Sequence, residues 1–286
     1  MVAVLALLVA VVALTTGAGV AMAQGGAWVV RDYDVTITIN DDSTVRVVEE
    51  IEVDFSAQQR GIFRYWEVVE SLPDPLPADS TIEIDGEPSQ YQRHIEIDVE
   101  DVTSSTNAPT DVELTTESGE LRARIGDPDI FITGVQRYRI TYTVTGAMNS
   151  FEAHDELYWD PVGSWPVEIA DLTVLVERPG IDRVACFAGY AGSSDETCPA
   201  TFDDDGATFD FGRVPPGVYP TIVVGLPPGE VDVATPIVRP VPTFWTTIRD
   251  GLWGSLPAAV ASALVLVGGL GMLPIAATAL TRRSTS

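Results

Sequence analysis

Residues 33–55 read YDVTITINDDSTVRVVEEIEVDF. Tyr33, Val35, Ile37 and Ile39 alternate with Asp34, Thr36, Thr38 and Asn40. Successive side chains of a strand point to opposite faces, so this period of two marks a strand with one buried face. The turn-forming run Asn40-Asp41-Asp42-Ser43 follows. Val45, Val47, Ile51, Val53 and Phe55 then resume the alternation, and the whole predicts an antiparallel hairpin. One position breaks the pattern. Glu49 falls on the apolar face between Val47 and Ile51. Either a bulge at Val48-Glu49-Glu50 turns it outward, or it points inward and needs a cationic partner. Arg60 and Arg64 follow the same strand and are the candidates for a structural ion pair.

The same period recurs downstream. Tyr138, Ile140, Tyr142 and Val144 alternate with Arg137, Arg139, Thr141 and Thr143. Further strands are expected at 80–84, 92–99, 111–116, 119–125, 167–176, 182–187, 206–211 and 218–224. Asp85-Gly86, Ser118-Gly119, Gly126-Asp127-Pro128-Asp129, Pro179-Gly180, Asp205-Gly206 and Pro216-Gly217 separate them as turns. No convincing helical stripe appears between residues 24 and 226. The fold class is therefore all-β, an antiparallel β-sandwich. A division into two smaller sandwiches would fall near 146–165.

The two ends differ from this body. Residues 1–23 carry no charge and finish on Ala21-Met22-Ala23, which reads as a signal peptide cut before Gln24. Leu256 to Leu280 is 25 residues without a charge, long enough to cross a hydrocarbon core of ~30 Å. Trp245 and Trp253 precede it, and Arg282 and Arg283 follow. The positive-inside rule places the tail 281–286 in the cytoplasm and the bulk of the chain outside. The expected order is a signal peptide (1–23), an external β domain (24–226), a Pro-rich stalk (227–250), a transmembrane helix (251–280) and the tail. The membrane is thus one expected partner, through residues 256–280.

The chain has 42 acidic residues against 16 basic ones, all of the latter arginine, and a net charge of −26. That field repels nucleic acid and excludes it as a partner. It could gather divalent cations, or serve as a solvated surface suited to high salt. Cys186 and Cys198 are the only cysteines, and an extracytoplasmic setting with an even count favours a disulfide. With two histidines, no paired-cysteine motif and no phosphate loop, nothing calls for a cofactor, and the identity of any metal stays open.

The densest chemistry lies in HDELYWDPVGSW, residues 154–165. On a strand, His154, Glu156 and Tyr158 share one face, and Asp155, Leu157 and Trp159 share the other. Asp160-Pro161-Val162-Gly163 would turn the chain and bring Trp159 toward Trp165. His154, Asp155, Glu156, Tyr158, Trp159 and Trp165, with Asp127 and Asp129, are the candidate ligand-binding residues. Aromatic faces and carboxylates suit a glycan or a peptide. The competing reading is a corner of the core. In it Trp159 is buried against Tyr158 or Trp165, and the polar trio 154–156 lies at the rim beside an arginine of 60–64 or 122–124.

Several phrases together carry a resemblance: RGIFRYW (60–66), RIGDPDIFITG (124–134), YRITYTVTGA (138–147), HDELYWDPVGSWPVEI (154–169) and VVGLPPG (223–229). In order and spacing this resembles the predicted bacterial membrane proteins called domain of unknown function 2207, or YciQ-like. The resemblance implies a signal peptide, an external β domain and a membrane anchor, and no established activity. It also implies a cytoplasmic region with more apolar segments, where six residues follow the span in this sequence. Asp160 stands where the resemblance implies an asparagine. The expected function is a binding or assembly module at the cell surface with a protein or glycan partner. The alternatives are a surface glycan hydrolase using carboxylates of the 127–160 region, and a subunit that positions partners in the membrane. No catalytic residue is assigned.

Overall fold

The computed structural model describes residues 28–190 and 198–242. The expected signal peptide, transmembrane helix and tail lie outside the described residues, and so does the end of the stalk. Among the described residues no helix is long and apolar enough to cross a membrane.

The described chain forms seventeen strands and one short 3-10 turn, Pro88–Gln90. The first six strands are β1 (Trp28–Ile39), β2 (Val45–Gln59), β3 (Ile62–Glu67), β4 (Val69–Ser71), β5 (Tyr91–His94) and β6 (Glu96–Ser104). Next come β7 (Val112–Glu117), β8 (Glu120–Ile125), β9 (Ile132–Thr145), β10 (Met148–Ser150) and β11 (Asp155–Trp159). The last are β12 (Leu172–Glu177), β13 (Arg183–Gly189), β14 (Ala200–Phe202), β15 (Gly206–Asp210), β16 (Tyr219–Leu226) and β17 (Ile237–Pro240). They assemble into a seven-stranded sheet, β14-β15-β12-β1-β2-β9-β6, a four-stranded sheet, β10-β11-β16-β13, and two three-stranded sheets, β17-β5-β4 and β3-β8-β7.

The opening hairpin is the centre of the large sheet. Its register runs from Trp28 opposite Phe55 to Ile39 opposite Val45. Val35, Ile37, Val47, Val53, Ile140 and Val144 fill one face and are fully buried. Every sheet pairing is antiparallel except one: β1 lies parallel to β12, from Tyr33–Leu172 to Thr38–Glu177. Parallel neighbours need a long connection, and the whole span from β2 to β11 supplies it. That pairing corrects the purely antiparallel expectation. The β7–β8 hairpin turns at Ser118-Gly119, both at positive φ, which fits the twist of the flanking strands.

Buried residues from all four sheets merge into one apolar core, from Val30 through Trp66, Leu157 and Trp159 to Leu226. Cys186 and Cys198 are disulfide-bonded, with Cα atoms 5.6 Å apart, and tie β13 to the chain just before β14. The stretch after Pro227, expected as a free stalk, packs on the domain as far as it is described. Val231 is buried, the Asp232 amide donates to the Asp41 carbonyl, and β17 pairs with β5. Val231 and Ile237 supply apolar contact, so the prolines around them shape an edge strand, a position where a missing N–H costs least.

Candidate functional site

Glu49 points inward. No register shift occurs at its position; the shifts fall at Val30/Asp32 and Phe55/Gln59. The carboxylate is fully buried and fully partnered. The Tyr142 hydroxyl donates to Oε1 and the Tyr33 hydroxyl to Oε2, both at 2.6 Å. Arg64 donates from Nη2 to Oε1 at 2.9 Å and from Nε to both oxygens at 3.0 Å. The sheet explains the geometry. Tyr33 stands opposite Ile51 and Tyr142 opposite Val47, so each is a diagonal neighbour of Glu49 on the same face. Burial, and then Glu49, push both phenols well above their usual pKa. Burial acts to lower the Arg64 pKa, but Glu49 outweighs it and the guanidinium stays charged. Arg60 is not the partner: its guanidinium lies over the Phe131 ring, 4.1 Å from the centroid.

Arg64 also reaches the 154–165 segment. Its Nη2 donates to the Pro161 carbonyl at 2.8 Å, and its Nη1 donates to the Tyr65 carbonyl. The turn after β11 is thereby pinned from below. Gly163 completes it at φ +62°, with the Tyr65 carbonyl 3.3 Å from where a Cβ would stand. A side chain there would strain the backbone and crowd that carbonyl.

Above this turn opens a cleft of about 670 Å³. Its walls include the rings of Tyr65, Trp66, Tyr158, Trp159, Trp165 and Tyr219, and the carboxylates of Glu67, Glu70, Glu120 and Asp160. β3, β4, β8, β11 and β16 supply most of these residues. None of the four carboxylates belongs to an ion pair among the described residues. Burial pushes the Asp160 pKa up to about 6; Glu67 adds to the rise, while the Thr221 hydroxyl, which donates to Oδ1, and Arg64 oppose it. Burial, Asp160 and Glu67 raise Glu70 against the opposing Arg93, and burial with Glu67 raises Glu120.

The sequence-expected residues divide. Tyr158, Trp159 and Trp165 line the cleft. Trp159 is 5% exposed, and its indole N–H has no acceptor among the described residues. Tyr158 does not pack on it; it lies on the opposite face of β11 and is 51% exposed. Trp165 sets its ring edge-on to Tyr33 and Trp28, at 5.6 and 6.0 Å. Asp155 is not at a rim. It is buried, and its Oδ2 accepts the Gly229 amide at 2.9 Å. His154 stacks on Phe151 at 4.7 Å and faces Glu156 at 3.5 Å, not an arginine of 60–64 or 122–124. Asp127 and Asp129 form a local turn, the Asp129 amide donating to Asp127 Oδ1 at 2.7 Å. Pro128 and Phe131 of that loop border a separate groove with Arg60 and Phe63. Glu67, Glu70, Glu120 and Tyr219 were missed, because they come from strands far apart in sequence. Among the described residues, no three His, Cys, Asp or Glu side chains are placed to hold a metal ion.

Residues 29–226 match the family model described as predicted membrane protein (DUF2207) N-terminal domain. The chain belongs to this family. No curated protein matches it in sequence. Among solved structures it is similar to yeast LTA4 hydrolase in complex with bestatin, at 11% identity and a TM-score of 0.42, covering 70% of this chain and 29% of that one. It is also similar to an M1 zinc metallopeptidase from Deinococcus radiodurans, at 15% identity and a TM-score of 0.34, covering 70% and 43%. The DUF2207 chain therefore spans less than half the length of either structure.

Proposed function

We propose that this DUF2207 chain is a membrane-anchored, extracytoplasmic β-sandwich that works as a binding or assembly module at the cell surface. The observation that carries the proposal is the cleft above the 160–163 turn. It combines six aromatic rings with four carboxylates that have no ion-pair partner among the described residues, beside a turn bonded to the Glu49–Arg64 network. Concave aromatic walls with a few convergent polar groups are the usual make-up of a ligand site. Residues 1–23 serve as a cleaved signal peptide in this reading, 251–280 as the transmembrane helix and 281–286 as the cytoplasmic tail. The family description, predicted membrane protein, supports it.

The packing of residues 227–242 changes the expected spacing. Only thirteen residues separate Pro242 from Leu256. At ~3.5 Å per residue their reach is at most about 45 Å. The domain is then held near the bilayer, where a partner would be another membrane protein or a wall-linked chain. The test is a titration of the full chain in detergent micelles against short peptides and N-acetylglucosamine oligosaccharides, followed by tryptophan fluorescence. Binding that is lost on Tyr158→Ala with the fold intact supports the module. Binding indifferent to Tyr158 and Asp160 overturns the cleft as its site.

A further inference from the structure

The 670 Å³ cleft is the larger part of a longer feature. A second hollow of about 300 Å³ adjoins it, and Glu70, Ser71 and Tyr158 line both. The two form one groove with a waist at Tyr158. The lobes differ in chemistry. The first carries Glu67, Glu70, Glu120 and Asp160 among aromatic rings. The second is walled mainly by Leu72, Leu76, Ile82, Phe151 and Pro236, with Arg93 and Glu156 also in its lining.

Among the described residues no arginine forms an ion pair with a carboxylate of the acidic lobe, although Arg93, Arg122 and Arg64 act on Glu70, Glu120 and Asp160 from farther away. Arg64 spends its donors on Glu49, the Pro161 carbonyl and the Tyr65 carbonyl. Arg93, the other buried arginine, donates to the Gly146 and Met148 carbonyls and to Asn149 Oδ1. Four carboxylates gathered in one cleft, Glu70 and Asp160 partly buried and Glu67 and Glu120 exposed, favour a ligand that brings positive charge, and ring faces reinforce that preference. A third observation is independent of charge. Trp159 lies in the wall of the acidic lobe with its buried indole N–H lacking an acceptor. A buried donor without an acceptor is costly, and a small shift of the wall would let a ligand oxygen reach it.

We infer that the groove holds an extended peptide. Its cationic side chain or amino terminus enters the acidic lobe, a backbone carbonyl faces Trp159, and an apolar side chain fills the second lobe. The other ligand classes each leave something unmet. A neutral glycan supplies no cation, a polyamine supplies neither carbonyl nor apolar group, and a metal ion lacks a set of three ligands among the described residues. This inference rests on the cleft being a binding site.

The test uses the full chain in detergent micelles at pH 7.5. The probes are the peptide acetyl-Lys-Gly-Leu-amide, the same peptide with norleucine for lysine, and an N-acetylglucosamine tetramer. Calorimetry is expected to find the lysine peptide bound about tenfold more tightly than its norleucine counterpart, a gap that narrows in 1 M salt. Glu70→Gln and Tyr158→Ala should each weaken the lysine peptide severalfold, with near-UV circular dichroism confirming that both variants are folded. Equal binding of the lysine and norleucine peptides overturns the cationic assignment. If the tetramer binds and neither peptide does, the peptide inference falls while the cleft stands as a glycan site. If none of the three binds, the inference and the reading beneath it fall together.

Discussion

Glu49 and Asp160 are both acids withdrawn from water, Glu49 wholly and Asp160 in part, and Arg64 acts on each. Glu49 receives two tyrosine hydroxyls and two guanidinium nitrogens, so its charge is met from within. Asp160 receives the Thr221 hydroxyl and lies near Glu67 and Glu70. Satisfied burial of charge locks an arrangement in place; unsatisfied burial of charge leaves an interaction to be made. The same arginine serves both regions, since its remaining donors hold the turn on which the cleft is built.

Removing that arginine is the severest way to break the contrast. Arg64→Ala leaves Glu49 buried without its cation and frees the 160–163 turn. The expected loss is about 3–5 kcal/mol of stability, measured by denaturant melt. A double change, Glu49→Leu with Arg64→Met, removes both charges and should cost clearly less than the two single changes summed. Additive costs would mean that the pair is not a unit.

Trp159→Ala comes next. The ring is part of the shared core and leaves a cavity, with an expected cost of about 3–5 kcal/mol. A melt unchanged from the parent chain would make Trp159 a loosely held wall of the cleft instead of core.

These two residues also mark what the sequence could say. The hairpin, the Ser118-Gly119 turn and the burial of alternate residues follow from period and turn chemistry, which act over a few residues. Glu49 stood out because an acid on an apolar face breaks a local pattern. Choosing Arg64 over Arg60 needed strand alternation from Ile62 to Glu67, which buries Arg64 beside Trp66. The cleft was only partly legible. Tyr158, Trp159 and Trp165 lie in one segment, whereas Glu67, Glu70, Glu120 and Tyr219 reach it through pairings that span much of the chain. The parallel β1–β12 contact and the return of β17 onto β5 are of the same non-local kind. Asp155 and Tyr158 were misplaced for a local reason. β11 puts one face into the core and the other toward solvent, so a carboxylate was buried against an amide and a tyrosine was left half exposed.

Asp160→Asn reverses the sign of the effect. The folded pKa of about 6 lies above the ordinary 3.8, so the native state holds more protons than the unfolded chain between those values. Stability therefore falls as pH rises through this window, by at most about 3 kcal/mol. Glu67, Glu70, Tyr158, Thr221 and Arg64 are the groups that face the carboxyl. Asparagine keeps the acceptor for Thr221, sheds the charge, and is the residue that the family resemblance implies at this position. Melts should show the variant more stable than the parent at pH 8 and matching it near pH 3.5. An equal gain at both pH values would mean that the charge is not the cause.

The smallest expected change in stability, and the sharpest in binding, is Tyr158→Ala. The side chain sits at the waist where the two lobes meet, and half of it faces solvent. Truncation at such a position removes little buried area and should cost less than about 1 kcal/mol in a thermal melt. It also removes the ring that both lobes share, so a ligand that uses the whole groove loses a contact at its centre. Tyr158→Phe separates the two contributions of the side chain. If the ring face is what the ligand touches, phenylalanine restores binding. If the hydroxyl near Asp160 and Thr221 positions the acidic lobe, phenylalanine behaves like alanine. A Tyr158→Ala chain that melts several degrees lower would place this residue with Trp159 in the core, and the division of β11 into a structural face and a binding face would then be wrong.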